Sequence, residues 1–305
     1  MAHRISRRHA IGLAAGILSP AGSAKLLRLG GPVFLKSEDP RELAREHRRL
    51  GYRAAYCPPA RLEDRERLRE IEQAFAAENV VLAEVGAWCN LLDPDAARRR
   101  KNYEYVRDRL ALADAVGARC CVNIAGSFNP QVWYGPHPEN FSQTFFDAAV
   151  ENARRLIDEV KPRRTRFAYE MMGWAIPDGP ESYLKLLKAI DRKAFGVHVD
   201  VANGINCPRR FYRNGEFIRE CFRVLGPWVV SCHAKDLEWV VEMNVHFVEV
   251  VPGRGQLDYR TYLSELARLP GEVPLMLEHL KTPEEYEEGK RYIQKLAGEL
   301  GLSLA

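Results

Sequence analysis

Four short apolar segments each end in a side chain that binds hard metal ions: Arg166-Phe-Ala-Tyr-Glu170, Phe195-Gly-Val-His-Val-Asp200, Val229-Val-Ser-Cys-His233 and Val273-Pro-Leu-Met-Leu-Glu278. Brought to one point, three carboxylates and an imidazole make an oxygen-rich site for one divalent cation. Mn²⁺ or Mg²⁺ suits it first, with Co²⁺ or Zn²⁺ as substitutes. Four protein donors leave about two positions on an octahedral ion, enough for the adjacent carbonyl and hydroxyl oxygens of a sugar. An ion there acidifies the C–H beside the carbonyl and stabilises the enediolate that deprotonation leaves. Glu170 and Glu278 would then act as the base and acid pair. Each residue taken singly has a plainer role, as a helix cap, half an ion pair or a hydrogen-bonded core histidine. Four of them on successive segments favour a shared ion.

Such segments converge only as parallel strands whose C-terminal ends share one mouth. The rest of the chain supplies that frame. Strand-like runs fall at 27–35, 54–57, 80–85, 120–124, 167–171, 196–201, 229–234 and 273–277. Amphipathic helical stretches follow them at 40–50, 63–77, 94–116, 138–160, 181–190, 209–225, 259–267 and 283–296. Apolar residues recur at three- and four-residue spacing, as in Phe146, Ala149, Val150, Ala153, Leu156 and Ile157. Asp39, Asp93 and Thr282 each precede a proline and read as N-caps, while Gly51, Gly117 and Gly226 read as helix stops. Eight β-then-α units give an α/β fold, a single (β/α)8 TIM barrel over residues 25–305. A doubly wound open sheet would want a Gly-rich phosphate turn after its first strand. Gly30-Gly31-Pro32 lies within that strand and does not supply one.

Composition narrows the function classes. The formal net charge of +4 comes from 45 basic and 41 acidic residues spread along the chain, so no nucleic-acid partner is expected. No run of about 20 apolar residues suggests a membrane span. Seven scattered cysteines without a C-x-x-C pair read as free thiols, several of them small core residues. Residues 1–24 carry Arg7-Arg8, then the mildly apolar Ala10–Leu18 and the small residues 21–24. That order describes a twin-arginine export signal to the periplasm, against a disordered leader on a cytoplasmic protein.

From about residue 27 to 300 the chain resembles the xylose isomerase-like barrels, which include sugar and sugar-phosphate isomerases and epimerases, inosose dehydratases and endonuclease IV-type DNA-repair enzymes. The resemblance rests on Glu170 in Tyr-Glu-Met-Met, Asp200 in His-Val-Asp-Val-Ala-Asn203 and His233 in Ser-Cys-His-Ala-Lys-Asp236. Pro252-Gly-Arg-Gly-Gln-Leu-Asp258 and Leu277-Glu278-His279 complete it. It implies that Glu170, Asp200, His233 and Glu278 ligate the metal, and that the two glutamates also exchange the proton. Asn203 stands where relatives often place a histidine, and the histidine set for a three-metal repair cluster is absent from the spacing.

Around the site, Trp88, Asn123, Asn203, Lys235 and Arg254 are candidate substrate-binding residues, the last two for an anionic group such as phosphate. His198 is expected beneath Asp200, supporting the ligands from the core. The aromatic-rich segment from Ser127 to His137 reads as a loop at the same mouth, either stacking on a sugar or packing on the rim. The leading expectation is a metal-dependent isomerase or epimerase of a keto sugar or sugar phosphate, a small-molecule carbohydrate enzyme whose chains are free to pair as homo-oligomers. The rivals are a dehydratase or lyase on a keto-inositol or 3-keto-glycoside, and a non-catalytic sugar-binding barrel.

Overall fold

The computed structural model describes residues 26–304, so the leader expected over 1–24 lies outside the described residues. In chain order the elements begin β1 (Leu26–Gly30), α1 (Pro40–Arg49), β2 (Ala54–Tyr56), α2 (Arg65–Ala77), β3 (Val81–Gly86), α3 (Ala96–Val116) and β4 (Cys120–Asn123). A 3-10 turn (Pro138–Phe141) leads into α4 (Gln143–Val160), β5 (Arg166–Glu170), α5 (Pro180–Ile190) and β6 (Phe195–Val199). The short α6 (Val201–Gly204) and α7 (Pro208–Tyr212) precede α8 (Asn214–Leu225) and β7 (Val229–Ala234). Last come β8 (Asp236–Trp239), β9 (Phe247–Val250), α9 (Tyr259–Arg268), β10 (Pro274–Leu277), α10 (Pro283–Glu299) and β11 (Ser303–Leu304).

Eight parallel strands close a barrel in the order β1-β2-β3-β4-β5-β6-β7-β10, with β10 pairing back onto β1. The helices form the outer layer, which makes this a (β/α)8 barrel. Strands covered on both faces are apolar almost throughout. Phe167, Tyr169, Val197, Val199, Leu275 and Leu277 face the helices and share one core with residues such as Phe145, Tyr183 and Leu263. Inside the barrel, Met276 packs with Ala54 and Ala83 in a separate small cluster. Two bulges break the alternation. One extra residue on β3 separates the pairs Ala55–Leu82 and Tyr56–Glu84, and one on β7 separates Val197–Val229 and His198–Ser231. A one-residue slip reverses which side chains face in, so Glu84, Ser231 and His233 point into the barrel.

Several local expectations change. Asp39 and Thr282 cap α1 and α10 as expected, but α3 starts two residues later than its proline, with Asp95 accepting from Arg98 N–H while Asp93 makes a turn onto Asp95 N–H. Gly226 does not stop α8 in a left-handed conformation; it is right-handed and leads into a 3-10 turn. The first strand ends at Gly30, and residues 31–39 form no strand. Residues 236–250, which lie outside the expected strand and helix runs, hold an antiparallel hairpin of β8 and β9.

Candidate metal centre

Glu170 ends β5, Asp200 follows β6, His233 lies near the end of β7 and Glu278 follows β10. One ligand atom from each lies within 4.8 Å of all the others. Asp200 and His233 are buried, Glu170 is nearly so, and Glu278 keeps a small opening to the mouth. Asp200 has two functions at once. Its Oδ1 accepts from Asn203 N–H at 2.9 Å and caps α6, which leaves Oδ2 turned toward the cluster.

His233 Nδ1 lies 2.8 Å from Glu170 Oε1, 2.8 Å from Glu278 Oε1 and 3.4 Å from Asp200 Oδ2. An imidazole nitrogen carries one hydrogen or one lone pair and can bond only one of these oxygens. Asp200 Oδ2 and Glu278 Oε1 are buried without a hydrogen-bond partner. Lys235 Nζ approaches them at 2.9 and 2.7 Å, in charge contact off the hydrogen-bonding direction. Buried carboxylate oxygens crowded on one nitrogen fit a divalent cation, which takes all four donors together.

The electrostatics follow from burial opposed by charge. Burial raises the Glu170 carboxyl above its usual range, and His233 and Lys235 offset this only in part. Burial acts likewise on Asp200 and Glu278, but there the cations win. Lys235 and His233 hold Asp200 well below the carboxylate range, and His233 and Lys235 bring Glu278 to about 2. Conversely, burial disfavours the charged forms of His233 and Lys235, yet the surrounding carboxylates raise both well above their ordinary values.

The other expected site residues divide. Lys235 and Asn203 reach the cluster, joined by an Nζ to Oδ1 hydrogen bond of 3.2 Å. Lys235 is therefore engaged by the carboxylates of Asp200 and Glu278. Arg254 borders a mouth cavity of about 180 Å³ also lined by Lys235, Glu249, Glu278 and His279, but its fork is closed on Glu288 at 2.7 and 2.6 Å. Asn123 pairs in register with the outward-facing Tyr169 and accepts from Cys89 N–H at 3.1 Å. It braces the loop after β3 and does not face the mouth. Trp88 is exposed on that same loop. The segment 127–137 is ordered around Asn140, which accepts from Phe128 N–H, while Trp133 and Tyr134 remain exposed. His198 is fully buried, with Nε2 3.0 Å from Glu84 Oε1.

Two residues at the site escape a reading of the sequence. Glu84 lies within the apolar run of β3 and joins His198, His233 and Ser231. Glu249 arrives on the β8–β9 hairpin, 3.5 Å from Lys235 Nζ and 2.9 Å from His279 Nδ1.

Residues 44–296 match the family model of the xylose isomerase-like TIM barrels. Among solved structures, D-psicose 3-epimerase with D-tagatose from Clostridium cellulolyticum H10 superposes with a TM-score of 0.64 at 12% identity, covering 91% of this chain and 100% of that one. A xylose isomerase-like TIM barrel protein from Mycobacterium smegmatis in complex with magnesium gives 0.62 at 16% identity, covering 92% and 98%. The probable 3-DHS dehydratase of petrobactin synthesis from Bacillus anthracis gives 0.65 at 14% identity, covering 89% and 99%. At these identities the likeness is one of fold. No protein of curated function matches the chain.

Proposed function

The chain belongs to the xylose isomerase-like TIM barrel family, and from that premise we propose that it is a divalent-cation-dependent isomerase or epimerase of an uncharged keto sugar or related polyol. The observation that carries this reading is the convergence of Glu170, Asp200, His233 and Glu278 from four barrel strands. When bound there, Mn²⁺ or Mg²⁺ would polarise a substrate carbonyl and acidify the adjacent C–H.

The chain's own groups supply the rest. Strands β10, β7, β6 and β5 are consecutive neighbours, so Glu278 and Glu170 flank the central pair that carries His233 and Asp200. A substrate carbon seated over the cluster is bracketed by two carboxylates. One can take a proton from one face and the other return it on the opposite face, which inverts the centre. Lys235 balances the negative charge of Asp200 and Glu278 and, through Asn203, fixes the turn after β6. With Lys235 so committed and Arg254 closed on Glu288, neither cation expected to take a phosphate is left for one. That favours an uncharged substrate. The mouth cavity of about 180 Å³ lies below the usual range for drug-sized ligands and suits a small polyol.

Keto sugars incubated with the protein and Mn²⁺ in heavy water test the reading. Deuterium entering at the carbon next to the carbonyl, without loss of water, is the expected result. Exchange followed by loss of water would instead make the protein a dehydratase. A chain that binds no divalent cation would sink both enzyme readings and leave a sugar-binding barrel.

A further inference from the structure

Glu84 is a buried carboxylate that the chemistry above does not use. It enters the barrel from β3 and reaches across to β6 and β7. Its Oε1 accepts from Ser231 Oγ and meets His198 Nε2 at 3.0 Å, while its Oε2 meets His233 Nε2 at 3.3 Å. The two imidazoles cross edge to face with centroids 4.1 Å apart, and both are buried. An ionised carboxylate only accepts hydrogen bonds, so each Nε2 facing it carries a hydrogen. Without an ion, Nδ1 of the His233 imidazolium carries a hydrogen too, 2.8 Å from both Glu170 and Glu278; an ion would displace that one, because Glu84 holds the other on Nε2, and leave the Nδ1 lone pair directed at the point where the two glutamates converge.

We propose that Glu84 is a positioning residue. It fixes His233 with its hydrogen on Nε2, keeps Nδ1 available as a cation donor and thereby sets the affinity of the site for a divalent ion. The inference rests on the cation-dependent reading above and adds to it a residue that touches neither ion nor substrate. Glutamine at this position cannot reproduce the arrangement. Three donors (Ser231 Oγ, His198 Nε2 and His233 Nε2) need two accepting atoms, and an amide offers one. If the amide nitrogen faces His233, the ring hydrogen moves to Nδ1 and blocks the ion. If it faces His198 and Ser231, those two buried donors lose their acceptor.

The test is Mn²⁺ binding followed by titration calorimetry on wild type, Glu84→Gln and Glu84→Ala, with circular dichroism to establish that each folds. Both variants are expected to bind roughly 10- to 100-fold more weakly than wild type, as when the outer partner of a ligating histidine is removed. Equal affinities would overturn the inference while leaving the cation site standing. A wild type that binds no Mn²⁺ would overturn the functional reading and this inference with it. A second measurement needs no variant of Glu84. In Mg²⁺-loaded wild type labelled with ¹⁵N-histidine, His233, assigned by its absence in His233→Asn, is expected to show a protonated Nε2 and an unprotonated Nδ1. The reverse pattern overturns the proposal even if the Glu84 variants do not fold.

Discussion

Lys235 and Asp200 form an ion pair closed off from water, with Nζ 2.9 Å from Oδ2 and side chains 2% and 0% exposed. Charges this deep are tolerated only in balance. Removing the ammonium in Lys235→Met leaves Asp200 and Glu278 with His233 alone to balance them, and breaking a buried pair in this way costs about 3–5 kcal/mol. A divalent ion bound by the same carboxylates restores part of that, about 2.7 kcal/mol at a hundredfold excess over Kd. Urea denaturation of Lys235→Met with and without Mn²⁺ should therefore show a large loss of stability that the ion partly reverses. A variant as stable as wild type without the ion would mean that the pair contributes nothing.

Glu170 and His233 should fail differently when altered, because one is assigned a proton and the other an ion. Glu170→Gln keeps shape and removes the base, so turnover should fall by about 10²–10⁴-fold while Mn²⁺ still binds. His233→Ala deletes a donor and should weaken Mn²⁺ binding itself. Steady-state rates read beside calorimetry separate the two. Near-normal turnover in Glu170→Gln would end the proton-transfer assignment.

The barrel was legible because burial on both faces makes each strand a short apolar run, while burial on one face gives the helices their three- and four-residue period. Glu170, Asp200 and His233 could be read as site residues because each interrupts an apolar run near its C-terminal end. Glu84 interrupts such a run too, in Val81-Leu-Ala-Glu84, but strict alternation assigns it to the face opposite Ala83, and only the bulge on β3 turns it inward. A bulge leaves no period to read. The hairpin had a weak signal, the β-branched and aromatic residues of Leu237-Glu-Trp239 and Phe247-Val-Glu-Val250. It lacks the Asn-Gly or Asp-Gly turn that would have marked it, and its tip residues Val241 and Met243 are almost fully exposed. Arg254 and Asn123 were placed by proximity along the chain, and their partners Glu288 and Cys89 are fixed by tertiary packing that spacing does not encode.

Asp236 organises the loop that follows the hairpin. Its Oδ1 accepts from Leu237 and Leu257 N–H at 2.8 and 2.9 Å, and its Oδ2 from Gly253 and Gly255 N–H at 2.9 and 3.1 Å. Hydrogen bonds to a charged acceptor contribute about 1.5–3 kcal/mol, and four donors here share one carboxylate. Asp236→Ala should cost at least about 2 kcal/mol, measured by urea denaturation. Hydrogen exchange should show protection lost first at Gly253 and Gly255. Unchanged protection there would mean that other contacts hold the loop.

His47 gives the fold a pH dependence separate from the candidate metal centre. It lies buried in the last turn of α1, donating from Nδ1 to Leu43 O at 2.8 Å and packing edge-on against Phe75. Burial lowers its pKa below the usual histidine value, and the Leu43 carbonyl and Glu46 only partly oppose this. With the folded value below the unfolded one, the unfolded chain takes up the proton first as pH falls. The stabilisation is complete above about pH 6.5, the ordinary histidine value, and is lost as pH falls from there toward the lowered folded value. Urea midpoints measured from pH 7.5 down to pH 5 should fall more steeply for wild type than for His47→Gln, which has no proton to gain. Parallel curves would show that His47 titrates alike in both states and that its burial carries no such penalty.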